Sequence, residues 1–282
     1  MSDASQKIAF QGVLGAYSHL SCKTVQPTMT PVPCRSFEEM IATVVDGDAA
    51  LAMVPVENSI AGRVTDIHHL LPESGLHIIG EHFQPVNHQL LAPRGATLDQ
   101  LVEVHSHAQG LAQCRLRLQS LGLQPVIHSD TAGAAKDVGE WQNPTIGAIA
   151  SSLAAEIYDL DVLVETAEDA EHNTTRFLIM SRTPVVPAQN GTRMMTTLVF
   201  RLRSVPAALY KALGGFATNG INLTKLESYM RPGVSDSAQF YVDVEGHIDD
   251  PAMQHAMEEL RFYCAADEIS ILGTYPASPN RQ

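Results

Sequence analysis

Two hydroxyls and a cation stand directly before an apolar run in the segment EHNTTRFLIM, residues 171–180. Thr174, Thr175 and Arg176 place a planar guanidinium fork, which suits a carboxylate bidentately, beside groups that donate and accept hydrogen bonds. An arginine that enters a buried strand has to be paired or has to hold a ligand. The segment therefore predicts an anion-binding site, and a structural salt bridge to the acidic residues of 168–171 is the alternative.

Three further polar clusters follow the ends of predicted strands. They are PVENSIAGRV (55–64), SHAQGLAQC (106–114) and SDTAGAA (129–135). Ligands of open α/β sheets sit at the carboxyl ends of strands, so these clusters predict a polar cleft. The polar side chains that these clusters offer are Glu57, Asn58, Ser59, Ser106, His107, Gln109, Gln113, Asp130 and Thr131. The same residue types cap helices and close turns, and that structural role is the alternative for each cluster.

Short apolar runs alternate with helical stretches through the region that carries these clusters. The predicted strands include KIAF (7–10), ALAMVPV (50–56), LHIIGEHF (76–83), HQLLAP (88–93) and VEVHSH (102–107). SFEEMIATVVDG predicts a helix with a capping box formed by Ser36 and Glu39, and one further helix is predicted through AQGLAQCRLRLQSLG. This rhythm predicts a parallel or mostly parallel sheet covered by helices, an α/β fold.

The stretch RTPVVPAQNGTR (182–193) has three prolines and no periodicity, which predicts a linker. Beyond it, the order of predicted elements is strand, helix, strand, strand, helix, strand. A βαββαβ order within about 80 residues is typical of the ferredoxin-like split unit.

The composition excludes several classes of partner. The chain has 31 acidic and 18 basic residues, a formal net charge of −13, which argues against nucleic acid and anionic membranes. Four cysteines without a CxxC pair predict reduced core thiols in a cytoplasmic protein: Cys22, Cys34, Cys114 and Cys264. The first residues lack the features of a signal peptide, and no apolar run reaches the length of a membrane span.

Several catalytic classes are also set aside. The sequence has no GxxxxGK(S/T), no GxGxxG between a strand and a helix, no HExxH and no GxSxG. His68 and His69 lie inside a helical stretch where neighbouring side chains diverge, so a metal site is not expected.

Taken in order, PVENSIAGRV, SHAQGLAQC, DTAGAA, IGAIASSLAAEIYDL and NTTRFLI resemble the motifs of the prephenate dehydratase family. The trailing unit, with NLTKLES, resembles an ACT regulatory domain, so the resemblance covers about residues 7–276. It implies a catalytic region of two lobes, similar to a type II periplasmic binding protein. The implied segments are the catalytic region 1–185 with crossovers near 83–88 and 168–176, the linker 186–193 and the ACT domain 194–282.

The resemblance implies a cofactor-free conversion of prephenate to phenylpyruvate, water and CO₂, with feedback control by L-phenylalanine. ACT domains usually pair side by side, so a homodimer or homotetramer is expected. Some relatives begin with a chorismate mutase domain. The first strand here starts at Lys7, which leads us to expect the monofunctional form.

Matching the family motifs residue by residue makes Thr175 the catalytic hydroxyl and Arg176 the carboxylate clamp. The implied further substrate contacts are Asn58, Ser59, Ser106, His107, Gln113, Thr131 and Thr174. An alcohol is a much weaker acid than a carboxyl group, so His107 and Glu57 are candidates for the proton that the leaving hydroxyl takes.

The effector motifs of the family, GALV and ESRP, correspond here to AALY (207–210) and ESYM (227–230). The implied L-phenylalanine contacts are Ala207, Ala208, Leu209, Asn222, Leu223, Glu227 and Ser228. Ala207 replaces a glycine, and its methyl group is expected to weaken or reshape the site. The alternative is an ACT unit that serves only as a dimer interface.

Two competing functions stay open. Arogenate dehydratase performs the same chemistry on the amino analogue, and motif spacing does not distinguish a keto from an amino group. A non-enzymatic amino-acid sensor would bind without turnover and would need an output element, which the 282 residues do not show.

Overall fold

The computed structural model describes residues 3–170, 172–230 and 238–281, with the side chains of 265–267 left out. Glu171, which opens the segment 171–180, lies outside the described residues. The chain forms two compact units. One comprises Met1–Val64 and His82–Phe177, and the other comprises Thr65–Glu81 and Leu178–Gln282.

The first sheet has the strand order β2-β1-β3-β11-β5, with the short β4 paired to β3. Its strands are β1 Lys7–Gln11, β2 Thr30–Cys34, β3 Leu51–Asn58, β4 Gly62–Arg63, β5 His77–Pro85 and β11 Thr174–Ser181. β1 pairs in parallel with β2 and with β3. Two helices pack on β1, α1 Tyr17–Val25 and α2 Phe37–Val45. The sequence patterns missed α1 and β2, which lie between β1 and the capped helix α2.

The second sheet has the order β10-β6-β9-β7-β8. Its strands are β6 Gln89–Pro93, β7 Glu103–His107, β8 Gln124–His128, β9 Ile146–Ala150 and β10 Leu160–Val164. Its helices are α4 Ala108–Gln113, α5 Arg115–Ser120, α6 Thr131–Trp141 and α7 Ser152–Ile157, and α3 Thr65–Leu70 lies in the other unit.

The second sheet is mixed, which corrects the prediction of a mostly parallel one. β7 pairs in parallel with β8 and β9, whereas β6 runs antiparallel to both β9 and β10. β6 enters this sheet from β5 of the first sheet after three residues, so no helical crossover inside the sheet sets its direction parallel to β9 and β10. Each sheet forms the centre of one lobe of the first unit. The predicted two-lobed α/β fold is confirmed.

The single helix predicted after β7 is broken at Cys114 into α4 and α5. The carboxylate of Asp169 accepts hydrogen bonds from the backbone N–H groups of Leu116 (2.8 Å) and Arg117 (3.0 Å), which caps α5 from a distant part of the chain. The capping box of α2 is present in part, because Ser36 Oγ accepts from Glu39 N at 3.2 Å, while Glu39 Oε2 accepts from Arg35 N at 2.6 Å.

The rest of the second unit has the predicted βαββαβ order. Its elements are β12 Met194–Leu202, α8 Ala208–Thr218, β13 Leu223–Met230, β14 Ala238–Glu245, α9 Pro251–Tyr263 and β15 Cys264–Pro276. The strand order is β13-β14-β12-β15. One sheet face packs with α8 and α9 into an apolar core that includes Leu198, Phe216 and Val242. Among the described residues, none of the helices has both the length and the apolar character needed to cross a membrane.

Candidate active site

A cavity of about 260 Å³ is lined from both lobes of the first unit. Its lining residues are Tyr17, Asn58, Val64, Val86, His88, His107, Gln109, Gly110, Gln113, Asp130, Thr131 and Thr175. Five of the residues predicted as catalytic or substrate-binding are among them: Asn58, His107, Gln113, Thr131 and Thr175. None of these described lining residues is a lysine or an arginine, so the donors that face the cavity are amides, hydroxyls and imidazoles.

The ends of secondary-structure elements place these side chains. Asn58 is the last residue of β3, and Thr175 is the second residue of β11, whose start lies beside the end of β3. Ser59 N donates to Thr174 O at 2.8 Å and joins the two ends. The rule that ligands lie at carboxyl ends therefore holds for β3 and fails for β11, which brings Thr175 to the cavity from its amino end.

Helix starts supply the contacts from the second lobe. His107 is the N-cap of α4, and its Nδ1 accepts from Gln109 N at 3.3 Å. Asp130 caps α6, and its Oδ1 accepts from Gly133 N at 2.6 Å, so Thr131 is the first residue of that helix. The capping role that was the alternative for these clusters is present, and it coexists with a place in the cavity lining.

The remaining predicted contacts lie elsewhere. Ser59 Oγ donates to His172 O at 3.0 Å and accepts from Thr174 N at 2.9 Å, so Ser59 and Thr174 fasten the turn after β3 to the start of β11. Ser106 is fully buried, and its hydroxyl donates to Ile149 O at 2.7 Å inside the second lobe. None of these three residues is among the cavity-lining residues.

Arg176 is 2% exposed and forms an ion pair with Glu57, with Nη1 3.2 Å from Oε1. Its guanidinium lies 6.0 Å from the centre of the Phe83 ring. Neighbouring residues of a strand project to opposite faces, so Thr175 and Arg176 point away from each other. Arg176 is not among the residues that line the cavity.

A chain of side-chain hydrogen bonds runs along the cavity wall. Asn58 Nδ2 donates to Thr175 Oγ1 at 3.0 Å and to Asn173 Oδ1 at 2.7 Å. Asn173 Nδ2 donates to Gln113 Oε1 at 3.0 Å, and the same oxygen lies 2.8 Å from His88 Nε2. The chain passes from the first lobe to the second, and it joins residues that are up to 117 positions apart in the sequence.

Tyr17 and His88 are cavity residues that the sequence patterns missed. The Tyr17 hydroxyl lies 3.1 Å from His88 Nδ1 and donates to Asn87 O at 2.7 Å. Burial raises the pKa of Tyr17 well above its usual value, with smaller contributions from Glu168 and Cys114. Burial also lowers the pKa of His88, although the hydrogen bond with Gln113 and the charge of Glu168 oppose that shift. The neutral forms of both groups are therefore favoured.

Gly110 keeps the cavity open at the start of α4. A Cβ atom at this position would lie 3.1 Å from Ser106 Oγ and 3.4 Å from Thr131 Cγ2. It would also lie 3.7 Å from His88 Cε1, so any larger residue would fill space between cavity side chains.

A second cavity of about 340 Å³ shares Gln109 and Gln113 with the first. Small and apolar residues form part of its wall, namely Ile60, Ala61, Ala112 and Ala170. Polar Glu168, Asp169 and Asn173 form the remainder. The two cavities together offer room for a substrate larger than a single ring.

The residues predicted to bind the effector fall into separate places of the second unit. Ala207, Ala208 and Leu209 lie between β12 and the first turn of α8, and Ala207 has φ 59° and ψ 25°. Asn222 and Leu223 lie at the opposite end, where Leu223 pairs with Val244.

Asn222 also lines a cavity of about 430 Å³ that includes Arg193 and Glu245. Glu227 lies 2.9 Å from Lys225 Nζ and 3.7 Å from His68 Nε2, and Ser228 is exposed. Tyr229, where the family motif has arginine, packs edge-on against His69 with ring centres 5.3 Å apart.

Comparisons with known proteins place these features in a family. A family model for prephenate dehydratase matches residues 8–185. A bifunctional N-acyl-homoserine lactone acylase/prephenate dehydratase of Komagataeibacter europaeus is 52% identical over 275 residues, which is 98% of this chain and 97% of the relative. Arogenate dehydratase 2 of Petunia hybrida is 38% identical over 287 residues, 96% of this chain and 72% of that protein.

A solved structure extends the match to the whole fold. The prephenate dehydratase from Arthrobacter aurescens in complex with L-Phe superimposes with a TM-score of 0.87 at 31% identity. The match covers 98% of this chain and 91% of that chain.

Proposed function

The chain belongs to the prephenate dehydratase family of hydro-lyases, and on that premise we propose that it converts prephenate to phenylpyruvate under feedback control by L-phenylalanine. The observation that carries the proposal is the cavity wall around Thr175. Thr175 Oγ1 accepts a hydrogen bond from Asn58, and none of the described protein groups accepts one from it. Its own hydrogen is therefore available to a substrate oxygen.

The reaction needs few protein groups. The bond between the ring and its carboxylate breaks, CO₂ leaves, and the electron pair enters the ring. The C–O bond at C4 breaks at the opposite side of the ring, and the leaving hydroxyl takes a proton to become water. Formation of the aromatic ring drives these steps, so the enzyme contributes positioning and a proton near the leaving oxygen.

We assign the hydrogen bond to the leaving oxygen to Thr175 and the proton itself to His107. His107 lines the same cavity, and it can serve as the acid only as the imidazolium, whose formation ends the hydrogen bond that Nδ1 accepts from Gln109 N. The other predicted candidate, Glu57, is engaged by Arg176. A carboxylate held by a guanidinium is stabilised in its charged form, which makes it a poor proton donor.

The carboxylates of the substrate require donors from the second lobe. We propose that the hydroxyl of Thr131, the first residue of α6, donates to one of them, beside the Asp130 carboxylate that already caps this helix. Gln113 uses its carbonyl oxygen within the protein and has its NH₂ group left for the substrate. The carboxylate clamp predicted for Arg176 requires its guanidinium to exchange Glu57 for the substrate.

One assay tests the activity and the choice of substrate. Prephenate and L-arogenate are offered separately, and phenylpyruvate and phenylalanine are measured over time. We expect phenylpyruvate from prephenate with the higher kcat/KM. The plant relatives that are named arogenate dehydratases make L-arogenate the alternative. Binding without any turnover of either compound would contradict the proposal and support a sensor.

A second activity is favoured by the cavity beside Gln113. The relative that is 52% identical is named as an acylase as well, and an acyl chain needs apolar space next to the polar site. Hydrolysis would add water to the amide carbonyl and break its C–N bond, giving a carboxylate and homoserine lactone. We expect octanoate from N-octanoyl-homoserine lactone, and we expect Ala112→Phe to slow this reaction more than the dehydration. The absence of octanoate would remove this second function.

The effector proposal depends on a second copy of the chain. Leu223 pairs with Val244, which in turn lies opposite Thr196 near the start of β12, whereas Ala207 follows the end of that strand. Leu202 lies six residues beyond Thr196 along the strand, a distance of about 20 Å at a rise of about 3.3 Å per residue. One amino acid cannot touch both groups in one chain, so we propose that L-phenylalanine binds between two ACT domains.

Calorimetry with L-phenylalanine and sedimentation of the same sample test the effector proposal. We expect heat of binding and a dimer or a larger assembly. A monomer that binds L-phenylalanine would contradict the shared site, and no heat at all would leave the ACT unit a purely structural interface.

A further inference from the structure

The side chain of Asn58 can point in only one direction. Its Oδ1 lies 3.0 Å from Ile60 N and 2.9 Å from Ala61 N. A backbone N–H only donates, so the atom that faces these two groups has to be the amide oxygen. The NH₂ group of Asn58 therefore faces Asn173 and Thr175, and each receives one of its two hydrogens.

The orientation of Asn58 determines the donor and acceptor roles of the other hydrogen bonds in the series. Asn173 Oδ1 accepts from Asn58, so its Nδ2 has to be the group that donates to Gln113 Oε1. Gln113 then presents an oxygen to His88, and His88 Nε2 has to carry a hydrogen. His88 Nδ1 is then left without a hydrogen, so it can only accept from the Tyr17 hydroxyl, whose single hydrogen it shares with Asn87 O. The backbone N–H groups of Ile60 and Ala61 thus determine the orientation of the Gln113 amide and the tautomer of His88, neither of which they contact.

At the Asn58 end of the series, the same orientation restricts the hydroxyl of Thr175. A threonine hydroxyl has one hydrogen and can rotate to donate in several directions. Because Asn58 already donates to Thr175 Oγ1, the hydroxyl cannot turn its hydrogen toward Asn58. The hydrogen is thereby directed to the cavity that Thr175 lines.

We propose that Asn173 and His88 are positioning residues of the dehydration, which together with Asn58 and Gln113 hold the Thr175 hydroxyl as a hydrogen-bond donor toward the cavity. The inference rests on the proposed function, because the donor is useful only if an oxygen leaves there. Asn173 does not line the first cavity, so it acts through Asn58. His88 is 3% exposed and acts through Gln113.

Two variants at position 173 separate orientation from packing. Asn173→Asp still accepts from Asn58, so Thr175 stays a donor, kcat is retained within about 3-fold, and the added charge raises KM for the dianion. Asn173→Leu removes the acceptor and frees the Asn58 amide, so kcat falls by about 10- to 100-fold, as for other supporting residues of catalytic groups. Equal kcat for both variants would contradict the inference.

Two variants at position 88 extend the comparison. A glutamine amide can occupy the place of the imidazole Nε2–H, so His88→Gln keeps the donor to Gln113 and retains kcat. His88→Leu removes the donor, and we expect a kcat loss of a few-fold to about 10-fold. A leucine variant as active as the glutamine variant would show that His88 has no part in orienting Thr175.

A double-mutant cycle shows whether these residues act through Thr175. In a Thr175→Val background, Asn173→Leu and His88→Leu should lower kcat by less than about 2-fold further, because the hydroxyl that they orient is gone. If each keeps its full effect in that background, its role is structural and the inference is wrong.

A spectroscopic measurement tests the direction of the chain without any substrate. Long-range ¹H–¹⁵N spectra of the imidazole, assigned with His88→Gln, should show the hydrogen of His88 on Nε2. In Asn173→Asp the Gln113 amide has to turn its NH₂ group, so the hydrogen of His88 should move to Nδ1. A wild-type hydrogen on Nδ1 would overturn the inference. Failure of the wild-type enzyme to convert prephenate or L-arogenate would instead overturn the proposed function.

Discussion

The polar groups of the cavity around Thr175 and those of the second unit satisfy their buried hydrogen-bonding groups with different chemistry. The cavity wall joins amides, a hydroxyl and a neutral imidazole, and the direction of each hydrogen bond follows from Asn58. The face of the second unit's sheet opposite α8 and α9 holds buried ions instead. Arg281, 8% exposed, makes two hydrogen bonds to the fully buried carboxylate of Glu81, at 2.8 and 2.6 Å.

The buried ions of the second unit form a network. Asp243, also fully buried, lies 3.7 Å from Arg281 and accepts from Thr197 Oγ1 at 2.6 Å. Thr197 Oγ1 lies 2.7 Å from the Tyr275 hydroxyl. Charges that satisfy one another hold segments together. Neutral groups whose donor and acceptor roles are fixed can leave one hydrogen-bond donor available to a ligand. We use this property to distinguish a polar cluster that binds a ligand from one that only holds the fold together.

Removal of the buried cation should have the largest effect on stability. Arg281→Met removes the guanidinium that pairs with the buried carboxylates of Glu81 and Asp243. Breaking a buried ion pair in this way lowers the free energy of unfolding by about 3–5 kcal/mol. Arg94→Gln is the matched control, because Arg94 is 60% exposed and pairs with Asp159 and Asp161. We expect a much smaller loss of stability for Arg94→Gln, because solvent screens an exposed ion pair. Urea denaturation of both variants measures the difference, and equal losses would contradict the distinction.

Arg176 tests whether a buried ion can also serve the cavity. Arg176→Lys replaces a fork by a point charge, so the predicted clamp requires a higher KM for prephenate with kcat little changed. Glu57→Gln weakens the hold of position 57 on the Arg176 guanidinium, so KM should fall if Glu57 and the substrate carboxylate compete for it. Steady-state kinetics of both variants decide the matter. An unchanged KM in both, with a lower melting temperature, would assign Arg176 to structure alone.

The neutral histidines of the first unit predict a pH dependence of stability. Burial lowers the pKa of His88, and burial followed by the charge of Lys23 lowers that of His19. Below about pH 6.5, where a histidine of the unfolded chain titrates, the unfolded state binds more protons than the folded state. The free energy of unfolding should therefore fall as the pH drops below that value. His88→Gln should reduce this slope, and an unchanged slope in the double variant with His19→Gln would contradict the assignment.

A substitution at Ala207 should have the smallest effect on stability, and it should stabilise the protein. A left-handed backbone costs a residue with a side chain about 1–2 kcal/mol, so Ala207→Gly should stabilise the protein by about 1 kcal/mol. Ala208→Gly, one residue further and inside α8, should destabilise it. Thermal melts of the two variants give the comparison, and a loss at both positions would show that Ala207 is not strained.

The sequence predicted the parts of the molecule that depend on local pattern. The βαββαβ order and the places of Asn58 and Thr175 beside strand ends follow from periodicity and turn chemistry. The family resemblance was needed to name Thr175 as catalytic. The period of two in a strand implies that Thr175 and Arg176 face opposite sides, so one wall of a cavity does not present both.

Other features depend on contacts between distant residues. Tyr17 and His88 reach the cavity from positions 71 residues apart, and neither stands in a polar cluster at a strand end. The break at Cys114 follows from Asp169, 52 and 53 residues beyond the amides that it caps. No local pattern carries such information, because tertiary contacts override helix propensity.

The rate of phenylpyruvate formation by Thr175→Val tests the central claim most directly. We expect kcat on prephenate to fall by about 10²–10³-fold, as when one preorganised donor is removed, with KM changed by less than about 3-fold. Thr145→Val, at an exposed threonine outside the cavity lining, serves as the control and should keep the wild-type rate. A Thr175→Val enzyme that turns prephenate over at the wild-type rate would contradict the account.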